Sequence, residues 1–264
     1  MSFTFTILGC GSSGGVPRVG QGWGACDPNN PRNRRRRCSL LVERKSAGGV
    51  TRLLVDMSPD MREQLLAAEV DHLDAIVLTH PHADHVHGID DARALVIHHR
   101  KRIDVYMDAS TARTVRGAFG YIFETPPGSN YPALLNDKRV TPPQPFVIEG
   151  QGGSIEVTPF NVNHGEIDAL GLRIGALAYL PDVIKIPDDS LPYLQNLDIW
   201  IVDALRYTRH PSHFSVAEAL DWIQRMRPRR AVLTNLHTDL DYARLSDEAP
   251  PGVEVAYDGM QIVI

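Results

Sequence analysis

The sequence predicts an α+β protein in which two β-sheets pack back to back with helices on their outer faces, an αβ/βα four-layer sandwich. Two observations lead to this prediction. Both halves of the 264-residue chain consist mostly of strand-like segments with a few amphipathic helical ones, a pattern that two helix-covered sheets accommodate. Several strand-like segments are short and almost wholly apolar, as expected of strands that are buried on both faces.

In the first half of the chain, strands and helices are distinguished by periodicity and by capping residues. Strands are expected at residues 3–8, 39–43, 52–55, 75–78 and 104–107. Helices are expected at residues 59–70, 89–96 and 110–119, the last with Ser110 as its N-cap. The segment 120–143 is rich in Pro, Gly, Asn and aromatic residues, and we interpret a connection of this length as a lid over the functional site.

The second half contains further strands and one clearly amphipathic helix at residues 215–226, with Ser215 as its N-cap. Strands are expected at residues 146–149, 155–159, 170–174, 176–180, 199–202, 231–234, 253–257 and 261–264. No linker or solenoid repeat divides the chain. Residues 1–264 are therefore predicted to form a single domain.

Composition excludes several classes of protein. With 43% hydrophobic and 22% charged residues the chain is neither disordered nor fibrous. A net charge of −5 argues against a general nucleic-acid binder. Three cysteines, an odd and low number, fit a reducing cytoplasm. Neither a signal peptide nor a run of ~18 apolar residues is present, so we expect a cytoplasmic protein without a membrane partner.

The strongest functional signal is the sequence H-P-H-A-D-H at residues 80–85, directly after a buried strand. A turn can aim three imidazoles and a carboxylate at one point, and these groups suit Zn²⁺ or Mn²⁺. One ion could not easily use all four groups from so short a loop, so the motif predicts two neighbouring divalent ions. The alternative is a polar surface turn without metal.

The pattern H-x-H-x-D-H after an apolar strand resembles the signature of the metallo-β-lactamase superfamily, and the resemblance covers nearly the whole chain. Further matches are Asp56 in LLVDMSPD, His164 in NVNHGE, Asp182 in LAYLPD and His237 in AVLTNLH. The resemblance implies that one ion takes His80, His82 and His164, that the second takes Asp84, His85 and His237, and that Asp182 bridges them. Asp56 would orient a ligand histidine through its other ring nitrogen.

Plainer interpretations exist for these additional residues. His164 could be an ordinary loop histidine, and Asp182 could cap a turn before Pro187. The H-x-H-x-D-H motif favours ligation for both, because a short motif is weighed by its context. His237 follows an apolar strand, which is where the sites of open sheets lie.

Three features point to the phosphodiesterase branches of this superfamily. A dinuclear site bridged by Asp182 can hold both the attacking and the leaving oxygen of a phosphoryl displacement. His213 in HPSHFSVAEAL resembles the histidine that these branches, including the tRNA 3′-processing endonucleases, place near the leaving group as general acid. A histidine that merely caps a surface helix is the alternative. The opening GCGSSGGVPR…WGACDPNNPRNRRRRCS resembles the PhnP type.

In the PhnP type this loop carries cysteines for a structural zinc. Here only Cys26 and Cys38 lie in the loop, and Leu240 stands where a further histidine would be expected. The sequence thus departs from the pattern that a structural zinc requires. Small buried or loop cysteines are the alternative.

Five arginines fall within residues 32–37, where they could bind a substrate phosphate or form a solvated face. The candidate substrate-binding residues are Arg35, Arg37 and Ser13 of the glycine-rich loop. Together these features predict a dinuclear metal-dependent hydrolase, a phosphodiesterase acting on small nucleotide-like or cyclic phosphodiesters. A homodimer is expected from the resemblance alone.

Three alternative functions stay open. The same metal site could serve a thiolesterase or lactonase. An endonuclease for structured RNA would need an extended basic arm, whereas the chain has one arginine cluster and a net negative charge. A non-hydrolytic member that binds metal and carries or senses a ligand is the third, and His213 argues against it.

Overall fold

A computed structural model describes residues 2–264 and contains two seven-stranded mixed sheets. The first sheet contains β1 (Ser2–Gly9), β2 (Ser39–Ser46), β3 (Gly49–Val55), β4 (Ala75–Val77), β5 (Ile103–Met107), β6 (Leu135–Arg139) and β14 (Met260–Val263). The second contains β7 (Phe146–Ile148), β8 (Ile155–His164), β9 (Ile167–Ile174), β10 (Leu177–Leu180), β11 (Ile199–Asp203), β12 (Arg230–Thr234) and β13 (Val253–Val255). The two halves of the chain thus build one sheet each, except that β14 returns to the first.

Each sheet changes from antiparallel to parallel pairing halfway across. The spatial orders are β14-β1-β2-β3-β4-β5-β6 and β13-β12-β11-β10-β9-β8-β7. Strands β3 to β6 are parallel in the first sheet, as are β10 to β13 in the second. Because parallel strands end at the same edge of a sheet, the segments that follow β3, β4, β10, β11 and β12 are collected at such edges.

Helices follow the strands of both sheets. The first half contributes α1 (Met61–Ala67), α2 (Ala83–Val86), α3 (Ala92–His99) and α4 (Ala109–Phe123), and the second half contributes α5 (Val216–Met226) and α6 (Tyr242–Glu248). The α5 helix begins with a capping box in which Ser215 and Glu218 bond reciprocally. Across residues 2–264, no helix has the combination of length and apolar character that crossing a membrane requires.

Three hydrophobic cores separate four layers. One core lies between the two sheets, a second lies between the first sheet and helices α1, α3 and α4, and a third lies between the second sheet and helices α5 and α6. Strand β4 illustrates how successive residues of a strand face opposite sides of its sheet. Ala75 and Val77 face the core between the sheets, and Ile76 faces the helices. With both faces covered, every position is apolar. The predicted αβ/βα sandwich is confirmed.

Several local elements differ from those expected. The segment 120–143 contains the end of α4 and the whole of β6, so only residues 124–134 and 140–143 lie outside helices and strands. Its role as a lid stays a prediction. Helices α2 and α6 were not predicted. The N-cap of α4 is Asp108, whose side chain accepts a hydrogen bond from the backbone nitrogen of Thr111. The prediction of Ser110 as the cap was therefore wrong.

Replacing Asp108 by alanine should lower the free energy of unfolding by about 1 kcal/mol, because α4 loses its cap and a favourable charge at its N-terminus. The matched control is Ser110→Ala, which removes an exposed side chain from inside the helix and should change stability by less than about 0.5 kcal/mol. Urea unfolding followed by circular dichroism measures both. Equal losses in the two variants would contradict this assignment of the cap.

Candidate metal centre

Most of the histidines and carboxylates selected from the sequence meet where the strand ends of both sheets come together. The H-x-H-x-D-H segment leaves β4 and passes into α2, with His82 immediately before the helix. His164 is the last residue of β8 and precedes a turn at Gly165, whose φ of 74° favours glycine. Asp182 follows β10 by two residues. Both halves of the chain therefore contribute to one site.

Asp182 lies at the centre of this site. Its Oδ2 is 3.5 Å from Nε2 of His80, 3.5 Å from Nε2 of His164 and 3.4 Å from Nε2 of His85. Burial alone would raise the pKa of Asp182, but the surrounding histidines, His85 first, hold that pKa well below its usual range. The carboxyl group is thus ionised, and a single oxygen faces ring nitrogens from both halves of the site.

Three histidines form the first group around Asp182. Nε2 of His80 and Nε2 of His164 lie 3.1 and 3.2 Å from Nδ1 of His82. Burial lowers the pKa of both His80 and His164, which keeps their nitrogen lone pairs available. Three imidazoles and one carboxylate are the donor set that Zn²⁺ and similar ions prefer, so these residues fit a divalent ion.

The second group is rich in carboxylates and surrounds His85. Its Nε2 lies 3.5 Å from Oδ2 of Asp84 and 3.4 Å from Oδ2 of Asp182. Burial would lower the pKa of His85, but Asp182, Asp56 and Asp84 together raise it well above its ordinary value. Three carboxylates around one imidazole create a negative potential at this position. Either a proton on His85 or a bound divalent cation can neutralise that charge.

Asp56 fixes the orientation of the His85 ring. It follows β3 at a φ of 64° and is fully buried. Its Oδ2 accepts a hydrogen bond from Nδ1 of His85 at 2.7 Å, and its Oδ1 accepts one from the backbone nitrogen of Thr79 at 2.8 Å. Since Nδ1 is used in this way, Nε2 of His85 is left to face the site.

His237 lies beside the site but makes other contacts. Its Nε2 is 2.6 Å from Nη1 of Arg18, and its Nδ1 is 3.0 Å from Oδ1 of Asp239. Within residues 2–264, the groups of mutually close ligand atoms do not contain His237. Its role as a ligand of the second ion stays a prediction, and that role requires Arg18 to move away.

His213 lies against the first group and is paired with a buried carboxylate. Its ring centroid is 4.6 Å from that of His164, and its Nδ1 is 2.8 Å from Oδ2 of Asp203. Burial lowers the pKa of His213, but Asp203 more than offsets this and raises it to about 9. Burial raises the pKa of Asp203 to about 6. Because the pKa of His213 is higher than that of Asp203, the shared proton lies on His213 at neutral pH.

The predicted substrate-binding residues fall in different environments. Ser13 and Arg37 line a cavity of about 630 Å³ that reaches Asp84. Arg35 is 2% exposed, and its guanidinium donates to the backbone oxygen of His237 and to Oδ1 of Asn33. Arg35 therefore supports the segment that carries His237, and its burial argues against contact with substrate.

The cysteines Cys26 and Cys38 are both free and buried, but they lie among different neighbours. Cys26 contacts the backbone oxygen of Leu240 and the guanidinium of Arg35. Cys38 contacts the backbone oxygen of Gly11. In the described part of the chain, residues 2–264, no candidate metal group includes a cysteine.

Sequence reasoning missed Asp203 and Arg18. Asp203 ends an apolar strand, and Asp56 and Asp182, which the resemblance selected, also follow strands. Applying that position as a rule to β11 could have found Asp203. Arg18 stands alone in the glycine-rich loop, and its contact with His237 joins positions 219 residues apart. His210 was also missed; its ring centroid is 5.1 Å from that of His213.

Known proteins resemble this chain over most of its length. The family described as Beta-lactamase superfamily domain matches residues 51–235. A solved structure described as a new diphosphatase from the PhnP family is 33% identical, has a TM-score of 0.89, and is aligned over 100% of this chain and 98% of that one. The structure of Zn²⁺-bound PqqB from Methylobacterium extorquens shares the fold, with a TM-score of 0.74. It is 20% identical and is aligned over 98% of this chain and 99% of that one.

Two curated proteins align with nearly the whole chain. The octanoyltransferase of Porphyromonas gingivalis (strain ATCC BAA-308 / W83) is 35% identical over 261 residues, which are 98% of this chain but 51% of that protein. This chain thus spans about half the length of that relative. The coenzyme PQQ synthesis protein B of Acinetobacter baumannii (strain SDF) is 25% identical over 97% of this chain and 98% of that protein.

Replacing Asp56 by asparagine should weaken the binding of a divalent metal ion at His85 by about 10- to 100-fold, because the His85 ring loses its charged partner. Asparagine tolerates the positive φ of this position, so the backbone is preserved. Calorimetric titration of metal-stripped protein with Zn²⁺ measures the effect. The control is Asp137→Asn, which alters a carboxylate paired with Arg116 and Arg139. Unchanged affinity in the Asp56 variant would contradict the orienting role.

Proposed function

The chain belongs to the metallo-β-lactamase superfamily, near its PhnP branch, and we propose that it is a dinuclear metal-dependent phosphodiesterase acting on small nucleotide-like or cyclic phosphodiesters. The observation that carries this proposal is the pair of His213 and Asp203 beside the metal-binding groups. A ring nitrogen of His213 lies within 4.8 Å of the ligand atoms of His164 and Asp182. A proton donor is thereby held next to the position where a leaving oxygen would depart.

The metal-binding residues divide into two sets that fit two divalent ions. His80, His82, His164 and Asp182 would hold the first ion, and Asp84, His85, His237 and Asp182 would hold the second. When bound, Zn²⁺ or Mn²⁺ ions supply a water of lowered pKa and stabilise negative charge on phosphoryl oxygens. Asp182 fixes the spacing of the two sets, and Asp56 holds His85 in the orientation that exposes Nε2.

His213 acts as the general acid. Its Nδ1 donates to Asp203, since a carboxylate oxygen can only accept. At a pKa of about 9 the ring is charged at neutral pH, so Nε2 also carries a hydrogen. That hydrogen can pass to the leaving oxygen as its bond to phosphorus breaks, which removes the cost of expelling an alkoxide. Asp203 keeps the ring oriented and stabilises its charge.

This arrangement favours oxygen esters over the thioesters of the thiolesterase alternative. A thiolate is a better leaving group than an alkoxide and gains less from a proton donor. A positioned general acid such as His213 therefore assists the departure of an alkoxide more than that of a thiolate. A non-hydrolytic role gives no reason to hold His213 protonated beside the metal ligands. Lactones also release an alkoxide, and a panel of phosphodiesters, lactones and thioesters separates them.

A second candidate is the hydrolysis of a diphosphate linkage. A cavity of about 560 Å³ next to the glycine-rich loop is lined by the four arginines at residues 34–37 and by the carboxylates of Asp60, Glu63 and Asp258. Guanidinium groups bind phosphate oxygens well. The resemblance to a diphosphatase of the PhnP family at 33% identity agrees with this candidate. A dinucleoside diphosphate and a matched phosphodiester, compared by kcat/KM, distinguish the two activities.

Five further predictions accompany this function. The ions are Zn²⁺ or Mn²⁺, two per chain. The protein is expected to form a homodimer and to work in the cytoplasm, with residues 120–143 acting as the lid. Nucleic acid is not expected as a partner, because the net charge is −5.

Replacing His213 by alanine should reduce kcat by about 100- to 10,000-fold for a phosphodiester with an alkoxide leaving group. The same variant should lose far less with a p-nitrophenolate leaving group, which needs no proton. Steady-state kinetics on both substrates measure the difference, and metal content measured in parallel should be unchanged.

The matched control is His87→Ala, which removes an exposed histidine that follows the metal motif and packs on Phe119. It should leave kcat on both substrates within about twofold, since exposed side chains outside a site contribute little. If His213→Ala lowered kcat equally for good and poor leaving groups, the general-acid role would be wrong.

A further inference from the structure

Over residues 2–264 the two sheets end in four outer strands, and three of these carry features that discourage pairing with another chain. The edge of a sheet presents free backbone donors and acceptors, and proteins protect such edges with charges, prolines or short strands. Strand β6 carries three charged residues in a row. Strands β7 and β13 are three residues long, and they follow the proline-rich segments 142–145 and 250–251.

Strand β14, the fourth outer strand, lacks these features. Residues 259–264, with the sequence GMQIVI, contain neither a charged residue nor a proline. The side chains of Met260 and Ile262 are buried in the core between the sheets, whereas Val263 is 67% exposed and Ile264 is 44% exposed. An uncharged edge with adjacent exposed apolar side chains is a surface suited to pairing with another strand.

The backbone of β14 shows which of its polar groups are free. Phe3 and Ile264 exchange both of their backbone hydrogen bonds at 2.9 Å, so they form a hydrogen-bonded pair at the end of the antiparallel β1–β14 ladder. Bonded and non-bonded pairs alternate along such a ladder, which places Val263 and Gln261 at non-bonded positions. Their N–H and C=O groups therefore point away from β1, and within residues 2–264 no other backbone hydrogen bond occupies them.

We propose that β14 pairs in antiparallel orientation with β14 of a second copy of this chain, which joins the first sheets of the two copies into one continuous sheet. Around a twofold axis at Ile262, Gln261 of each copy faces Val263 of the other, and each of their free N–H groups meets a free C=O group. The edge is thus complementary to itself and carries no charge that would repel a second copy. This matching favours a second copy over an unrelated strand.

None of the candidate metal ligands lies on β14, so each copy keeps its own metal centre. The pairing supplies the surface for the expected homodimer and does not depend on the reaction that the metal centre catalyses.

Sedimentation equilibrium over a range of protein concentrations tests this interface. The wild type should form a dimer, and Val263→Lys should raise the dissociation constant at least about 10-fold, because a charge enters the shared sheet and apolar burial is lost. The matched control is Val147→Lys, which places the same charge on β7, an outer strand of the second sheet, where Val147 is 45% exposed. It should leave the dissociation constant unchanged, as should the conservative variant Val263→Ile.

A proline at the same position tests the backbone contribution separately from charge. Val263→Pro removes an N–H that makes no bond to β1, and proline is tolerated on an edge strand where the N–H faces solvent. The circular dichroism spectrum should therefore stay that of the wild type. The dimer loses one hydrogen bond from each copy, which should raise its dissociation constant about 10-fold.

A disulfide reports the register of the pairing. Facing hydrogen-bonded residues of two antiparallel strands have Cα atoms about 5.5 Å apart, a separation that a disulfide can bridge. The variant that combines Gln261→Cys with Val263→Cys should form a covalent dimer on mild oxidation, seen on a non-reducing gel. Val263→Cys alone should not, because Val263 faces Gln261 of the other copy. The three native cysteines are buried and should not react.

Three results would overturn the proposed pairing. A wild type that is monomeric at every concentration excludes the second copy as the partner. A dissociation constant that is the same in Val263→Lys and in the wild type places the dimer interface elsewhere. Covalent dimers that form as readily from Val263→Cys as from the double variant contradict the register. None of these measurements requires turnover, so a failure of the phosphodiesterase function would leave their outcome unaffected.

Discussion

The buried carboxylate of Asp182 is the constraint on which the rest of the site depends. One of its oxygens lies within 3.5 Å of ring nitrogens of His80, His85 and His164, which come from both halves of the chain. A buried charge is tolerated only when it is paired and bonded. The two sheets must therefore pack at a fixed spacing, set by the core between them, before these groups can meet. The four-layer fold is what holds the carboxylate in position.

The charge around this carboxylate is distributed unevenly, and the chemistry follows from that distribution. The side of His164 holds the imidazoles of the first group and the protonated His213, which under the proposed function would assist the departure of a leaving group. The side of His85 holds carboxylates that attract a cation, and beyond it lies the unpaired guanidinium of Arg18. Asp182 and His164 are held at the ends of strands, whereas Arg18 lies in the glycine-rich loop. Because loops vary more readily than strands, residues that contact the substrate from loops can change without disturbing the candidate metal ligands.

The sequence pointed to those residues of the candidate site that are adjacent in the chain or match the pattern of a known superfamily. The H-x-H-x-D-H motif is a single turn, and Asp56 and Asp182 came from the resemblance to the metallo-β-lactamase superfamily. Contacts between distant segments were not predictable, because the bond between Arg18 and His237 depends on how the glycine-rich loop packs on the second sheet. Strand β6, LNDKR, was missed because it lies at a sheet edge and contains few residues that favour strands.

The most direct test of this account is the hydrolysis of bis(p-nitrophenyl) phosphate by metal-stripped protein to which Zn²⁺ or Mn²⁺ is returned, with metal content measured on the same samples. We expect no turnover without metal, and full turnover at about two ions per chain. Two bound ions without any phosphodiester turnover would contradict the proposed function while leaving the metal centre in place. Turnover that is complete at one ion per chain would contradict the dinuclear site built on Asp182.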